Sequence, residues 1–132
     1  MARSRRNPEK VVFGFFILLA ATLNFGFFIG DIGVAAYHDV YELFAALVVS
    51  LIATILKLGD RTQIGAVHLA TSLVADLQLI TAAIVWAYAE HATAAGLTPE
   101  MVARIVSLSG GALLANLVSV TILVAETLMQ RR

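Results

Sequence analysis

Long apolar stretches separated by short polar segments run along most of this chain. Four of the stretches are long enough to cross the hydrocarbon core of a bilayer, which takes about 20 apolar residues in a helix. Glycine, acidic residues and a Thr-Pro pair interrupt the apolar pattern between them. The pattern therefore predicts four transmembrane helices, at about residues 11–30, 41–58, 64–88 and 102–129.

The polar segments between these stretches contain residues that commonly begin helices. The segments Asp39–Glu42 and Asp60–Gln63 both have the spacing of a capping box, in which a side chain at each end satisfies a backbone N–H. Thr98 followed by Pro99 combines an N-cap with a first-turn proline. We therefore expect the second, third and fourth helices to begin at these three segments.

Composition agrees with a membrane protein and excludes several other classes. Of the 132 residues, 60% are hydrophobic and 14% are charged, whereas a soluble domain has about 25% charged residues. The length suits a single domain covering residues 1–132. The absence of cysteine excludes disulfides, thiol catalysis and iron–sulfur clusters. Because the sequence also has no nucleotide-binding loop or Ser/His/Asp arrangement, we expect no enzymatic activity, cofactor, metal site or nucleic-acid partner.

The net charge is zero, yet the charges are distributed unevenly along the chain. If four spans are correct, eight of the nine basic residues lie on one side of the membrane, and only Arg104 lies on the other. Lys and Arg are enriched on the cytoplasmic side, so we expect both termini in the cytoplasm and a location in a bacterial inner membrane. The eight residues are Arg3, Arg5, Arg6, Lys10, Lys57, Arg61, Arg131 and Arg132.

A carboxylic acid, Asp76, lies deep inside the third apolar stretch. A charged side chain at the centre of a bilayer costs about 2.5–3.5 kcal/mol on insertion scales, so such residues are rare and usually functional. The short aspartate side chain also cannot extend to the interface as lysine does. We therefore expect Asp76 to face protein or water, either on an ion pathway or in a hydrogen bond between helices.

Other polar residues share the predicted depth or face of Asp76. His68 and Ser72 precede it at intervals of four residues and lie on one edge of the same helix, which Gln78 flanks. The opposite face suits lipid or hydrophobic packing and contains Val67, Leu73, Leu77, Ile80 and Ile84. Asn24 and Asn116 add amides to the first and fourth spans. One interpretation is a hydrophilic pathway lined by all six polar residues; the alternative is a hydrogen bond between Asp76 and Asn116 in a dry interface.

The segment before the second span is acidic and contains a histidine. Asp31, His38, Asp39 and Glu42 fall within twelve residues. In a symmetric oligomer, such acids would form an outer mouth that concentrates cations. Helix capping is the simpler interpretation for Asp39 and Glu42, and the spacing of His38 and Glu42 is also compatible with shared metal coordination on a helix.

Small residues recur every four positions in three of the spans. This spacing allows membrane helices to approach closely, within one chain or between copies of it. The sequence therefore predicts close helix packing and a homo-oligomer. The residues are Gly26 and Gly30 in the first span, Ala46, Ser50 and Thr54 in the second, and Ser107, Gly111, Ala115 and Ser119 in the fourth.

These features predict an all-α integral membrane protein of four transmembrane helices, with the lipid bilayer and an inorganic cation or proton as its partners. We expect it to act as a homo-oligomeric cation channel with Asp76 on the permeation path. Two alternatives remain open: a small proton- or cation-coupled transporter that uses Asp76 as its coupling acid, and a membrane subunit or scaffold that transports nothing.

Overall fold

A computed structural model describes residues 8–29, 36 and 38–130 of the chain. Within these residues it contains no strand, and its regular structure consists of four long helices. Each helix is long and apolar enough to cross a membrane. The prediction of an all-helical chain with four helices suited to cross a membrane is therefore confirmed. The helices are α1 (Pro8–Phe28), α2 (Val40–Lys57), α3 (Gln63–Ala92) and α4 (Pro99–Gln130).

The four helices form a ring in which each packs on two neighbours. Short connections join α1 to α2, α2 to α3 and α3 to α4, and α4 packs back on α1. Consecutive helices are therefore antiparallel, as in an up-and-down bundle. The apolar face of α3 predicted to meet lipid or to pack on apolar surface is exposed on the outside of the bundle. Its exposed residues are Val67, Leu73, Leu77, Ile80 and Ile84.

Two of the three predicted helix starts are confirmed, and one is displaced. The Asp39 side chain accepts a hydrogen bond from the Tyr41 backbone N–H and caps α2. The Thr98 hydroxyl accepts from the Met101 N–H at the start of α4. The N-cap of α3, however, is Thr62 rather than Asp60.

The displacement at α3 has a local cause in the side chain of Asp60. Its Oδ1 accepts hydrogen bonds from the hydroxyl of Thr62 at 2.7 Å and from the Thr62 backbone N–H at 2.9 Å. The Thr62 hydroxyl is then the group that accepts from the Gly65 N–H. The hydroxyl and backbone hydrogen bonds from Thr62, with Lys57 nearby, lower the pKa of Asp60 to about 2. Asp60 therefore acts as a charged turn residue that positions the actual cap.

The two ends of the bundle differ in charge. One end holds a 2.6 Å ion pair between Lys10 and Glu126 and a 3.3 Å pair between Lys57 and Asp60. We call it the basic end, and the opposite end, with Asp39, Glu42, Glu90 and Glu100, the acidic end. Glu126 thus joins the last turns of α4 to the start of α1. The predicted basic residues Arg3, Arg5, Arg6, Arg131 and Arg132 lie outside the described residues.

Candidate functional site

Asp76 lies near the middle of α3 and is buried, with 5% of its surface exposed. It is about 20 Å along the helix axis from Gln63 and about 24 Å from Ala92, at 1.5 Å per residue. Both carboxyl oxygens contact hydroxyls of α2: Ser50 donates to Oδ1 at 2.6 Å, and the Thr54 hydroxyl lies 2.5 Å from Oδ2. The carboxyl group is therefore held at the α2–α3 interface.

The alternative hydrogen bond between Asp76 and Asn116 is wrong. The amide atoms of Asn116 have no hydrogen-bond partner among the described residues. The hydrogen-bond partners of the Asp76 carboxyl group are Ser50 and Thr54, both on α2. The reason is the helical repeat: each step of four residues turns the direction of the side chain by about 40°. The edge that faces α4 at His68 has therefore turned toward α2 at Asp76.

The hydroxyl of Thr54 has two possible acceptors but only one proton. It lies 3.0 Å from the Ser50 carbonyl oxygen, four residues earlier in α2, and 2.5 Å from Oδ2 of Asp76. If Asp76 is ionised, the Thr54 proton points at the carboxylate. If Asp76 is protonated on Oδ2, it donates to Thr54, and the Thr54 proton points at the carbonyl. Both protonation states of Asp76 are thus hydrogen-bonded without a change in backbone position.

Sequence reasoning did not assign this role to Ser50 and Thr54. Both were interpreted only as small residues on a packing stripe, and they do pack closely, because both are buried. A signal was present: two hydroxyls one turn apart in α2, in the helix that precedes a buried acid. Without the arrangement of the helices, that signal was indistinguishable from ordinary small-residue packing.

His68 is fully buried near the basic end and connects α3 to α4. Its Nδ1 lies 2.5 Å from the hydroxyl of Ser119, and the ring of Phe13 from α1 meets it edge-on at 5.0 Å between centroids. Which nitrogen carries the proton depends on the tautomer. The predicted pathway residue and the predicted packing residue Ser119 therefore form one interhelical contact.

Asn24 anchors α1 to the backbone of α4. With its amide in the orientation that satisfies both contacts, it donates to the Ser109 carbonyl at 2.9 Å and accepts from the Leu113 N–H at 3.0 Å. Its polar atoms are thus occupied by a structural bond. Of the six predicted pathway residues, Asn24 has the arrangement most typical of helix packing.

Several buried polar atoms in the remaining pathway residues have no hydrogen-bond partner among the described residues. Each such atom costs about 1–3 kcal/mol if nothing satisfies it. Buried polar groups in native proteins are therefore nearly always paired with protein or with ordered water. These atoms are Nε2 of His68, Oγ of Ser72, Oε1 of Gln78, and both amide atoms of Asn116.

The small residues of α4 follow the expected packing stripe over part of its length. Gly111 leaves room for the side chain of Gln78, Ala115 packs on the core, and Ser119 meets His68. Ser107, by contrast, is exposed on the outside of the bundle. A repeat of four residues drifts around a helix, so the first member of the stripe has turned out of the α3–α4 interface.

On α1, Gly26 allows the carboxylate of Glu42 to lie against the helix backbone, where a Cβ would collide with it. The close approach of α1 and α2 at this point therefore depends on the missing side chain of Gly26. The second residue of the predicted pair, Gly30, lies outside the described residues.

At the acidic end, residues predicted to form an outer mouth make local contacts. Asp39 caps α2, and His38 is buried with Nδ1 2.6 Å from the Phe27 carbonyl oxygen. Because α2 begins at Val40, His38 is not on a helix with Glu42, and the metal spacing that assumed one helix is wrong. Asp31 lies outside the described residues, and within those described no three His, Asp or Glu side chains form a metal-sized group.

The basic end contains a pocket of about 670 Å³ between α1, the end of α2 and the loop before α3. Lys10, Lys57 and Arg61 line it together with apolar side chains that include Phe13. The Lys57 ammonium lies 4.3 Å from the centroid of the Phe13 ring. Phe13 thus contacts the pocket and, through the same ring, the buried His68.

These features define a class: a four-helix membrane bundle with a carboxyl group and an imidazole buried in its interior. The chain belongs to DUF6394, a family of unknown function, whose pattern matches residues 37–127. The match covers α2, α3 and most of α4, and so includes Asp76 with both of its α2 partners. Comparison with curated proteins and with solved structures gave no match.

Proposed function

We propose that this protein transfers protons through the interior of its helix bundle, with Asp76 as the group that takes up and releases the proton. The supporting observation is the hydroxyl of Thr54, which serves either protonation state of the carboxyl group by redirecting a single proton. A purely structural hydrogen bond needs only one of those states. An asparagine at this position would form a structural hydrogen bond with a lower free-energy cost of insertion into the membrane.

The position of the polar groups supports a pathway within one copy of the chain. Asp76, His68 and Asn116 are buried inside the bundle, whereas a pore between copies would place its polar groups on an outer face. Histidine is a common proton relay because its ordinary pKa is near neutrality. His68 and Asp76 are therefore the two groups on this route that can exchange protons.

The homo-oligomeric cation channel expected from the sequence is the second candidate, and a proton- or cation-coupled transporter uses the same carboxyl group. The remaining expectations accompany the proposal: a bacterial inner membrane, the basic end and both termini in the cytoplasm, assembly as a homo-oligomer, and no enzymatic activity. The distribution of Lys and Arg supports this orientation.

Purified protein in liposomes tests the proposal. A pH-sensitive dye inside the liposomes reports proton uptake when a membrane potential is imposed. We expect uptake with the native protein and none above background with Asp76→Asn. Asp39→Asn is the matched control and should retain native uptake, because asparagine caps a helix as well as aspartate does. A native protein that gives no more uptake than protein-free liposomes overturns the proposal.

The same preparation separates the candidates. Large unitary currents carried by Na⁺ or K⁺ would favour the cation channel. Proton uptake that requires Na⁺ or K⁺ on the opposite side would favour coupled transport, with Asp76 still as the coupling acid. Uptake driven by voltage alone, with no dependence on other ions, is the result that the proposed function expects.

A further inference from the structure

The facing residues of α3 and α4 can be aligned from two contacts. His68 meets Ser119 at 2.5 Å, and Gln78 lies against Gly111. Because the helices are antiparallel, the residues between these contacts are level with each other. Ser72, four residues from His68, is therefore level with Asn116, three residues from Ser119. Both are fully buried.

The polar atoms at this level have no hydrogen-bond partner within the described part of the chain, and they suit a neutral ligand. Ser72 contributes a hydroxyl, and Asn116 contributes one carbonyl oxygen and an NH₂ group, with Nε2 of His68 one turn away. This set mixes donors with acceptors and carries no formal charge. A hard cation such as Ca²⁺ or Mg²⁺ prefers a shell of oxygen acceptors alone, whereas water both donates and accepts.

The separation of the two titratable groups matches a short row of waters. His68 and Asp76 are eight residues apart, about 12 Å along the axis, or roughly four hydrogen-bond steps of about 2.8 Å. The two side chains therefore do not reach each other directly. Ser72 lies midway between them on the same edge of α3, and its hydroxyl can be one member of a row.

We infer that Ser72 and Asn116 bind a row of water molecules that joins His68 to Asp76, and that the species moved along it is the proton. The inference rests on the proposed function and specifies the route that its proton takes. His68 gives a proton to the first water and regains one from solvent at the basic end, while the last water passes a proton to the Asp76 carboxylate, which becomes a neutral carboxyl group. Each intervening oxygen exchanges one O–H bond for another, so the row gains and loses no atoms.

Asn116→Leu tests the inference because it replaces the amide with an apolar side chain of similar size. We expect proton uptake by liposomes to fall most of the way to background, while the variant keeps its native helix content by circular dichroism. Brief X-ray radiolysis of native protein should oxidise His68, although it is fully buried, because radiolysis generates hydroxyl radicals from the bound water beside the ring. This oxidation should be lost in Asn116→Leu.

A smaller change keeps the test decisive if Asn116→Leu does not fold. Ser72→Ala removes one oxygen from the proposed row and should reduce uptake, whereas Ser107→Ala on the outside of the bundle should not. Native uptake in folded Asn116→Leu or in Ser72→Ala, or an unoxidised His68 in native protein, overturns the inference.

The outcome also separates this inference from the proposed function. If Asp76→Asn abolishes uptake while the Ser72 and Asn116 variants retain it, only the water row is refuted. If Asp76→Asn itself retains native uptake, the proposed function fails.

Discussion

Thr54→Val is the substitution that tests the two-state hydrogen bond most directly. Valine keeps the branched shape of threonine and removes its hydroxyl, so Asp76 loses the 2.5 Å contact at Oδ2. A hydrogen bond to a charged acceptor contributes about 1.5–3 kcal/mol, and one to a neutral partner about 0.5–1.5 kcal/mol. The ionised form of Asp76 is therefore destabilised more than the protonated form, by about 1 kcal/mol or somewhat more.

Two measurements follow from that difference. A difference of 1.4 kcal/mol is a factor of about ten in an equilibrium, so we expect proton release from Asp76, and with it the uptake by liposomes, to fall up to about tenfold. Loss of the interhelical bond should also lower the free energy of unfolding by about 1–2 kcal/mol. Unfolding in mixed micelles with increasing denaturing detergent measures the second effect.

Thr81→Val is the matched control for this experiment. Thr81 is an exposed residue of α3 whose hydroxyl makes the same type of bond, to the Leu77 carbonyl at 2.8 Å. It should leave uptake and stability close to native, and Thr54→Ser should restore most of both because it returns the hydroxyl. Equal uptake by Thr54→Val and Thr81→Val would refute the reasoning about the Thr54 proton.

Three further predictions concern other parts of the bundle. Phe13→Ala removes the ring between the basic-end pocket and His68, so His68 should become reactive toward diethylpyrocarbonate; unchanged modification by mass spectrometry would contradict that placement. Gly26→Ala should lower the free energy of unfolding by about 1–3 kcal/mol, because its Cβ would enter the space of the Glu42 carboxylate. Gly59→Ala is the control and should be nearly neutral, because the space around Gly59 is open. Similar unfolding midpoints for the two variants would argue against the close contact at Gly26. Asp60 has a pKa lowered to about 2 by hydrogen bonds from the α3 cap, so its stabilisation is complete above the usual value of 3.8 and is lost as pH falls through 2. The stability difference between Asp60→Asn and native protein should therefore be constant from pH 5 to 8.

Local sequence patterns were sufficient for the helices and their outer surfaces. The apolar stretches predicted four helices, and the polar segments Asp39–Glu42 and Thr98–Pro99 correctly marked two helix starts. The third start was displaced because Asp60 bonds to the cap residue instead of capping the helix itself. Such competition between neighbouring side chains depends on their rotamers, which sequence spacing does not specify.

The acidic end shows how local contacts determine the positions of charged side chains. The acids before the second span were interpreted as a mouth for cations or, more simply for Asp39 and Glu42, as helix caps. Asp39 does cap α2, whereas Glu42 lies against Gly26. His38 turns inward to the Phe27 carbonyl. A charged residue near a helix end has local partners within reach, and these local bonds determined where the side chains lie.

The sequence by itself determined that the chain forms four apolar helices and that Asp76 faces inward, because hydropathy is a local property and lipid excludes a short charged side chain. Only the tertiary structure decided which helix the carboxyl group meets. The edge that carries His68, Ser72 and Asp76 turns with the helix, and the ring order of the four helices places α4 beside its beginning and α2 beside its end. Asp76 therefore has two hydroxyls as partners instead of an amide, and hydroxyls can redirect a proton.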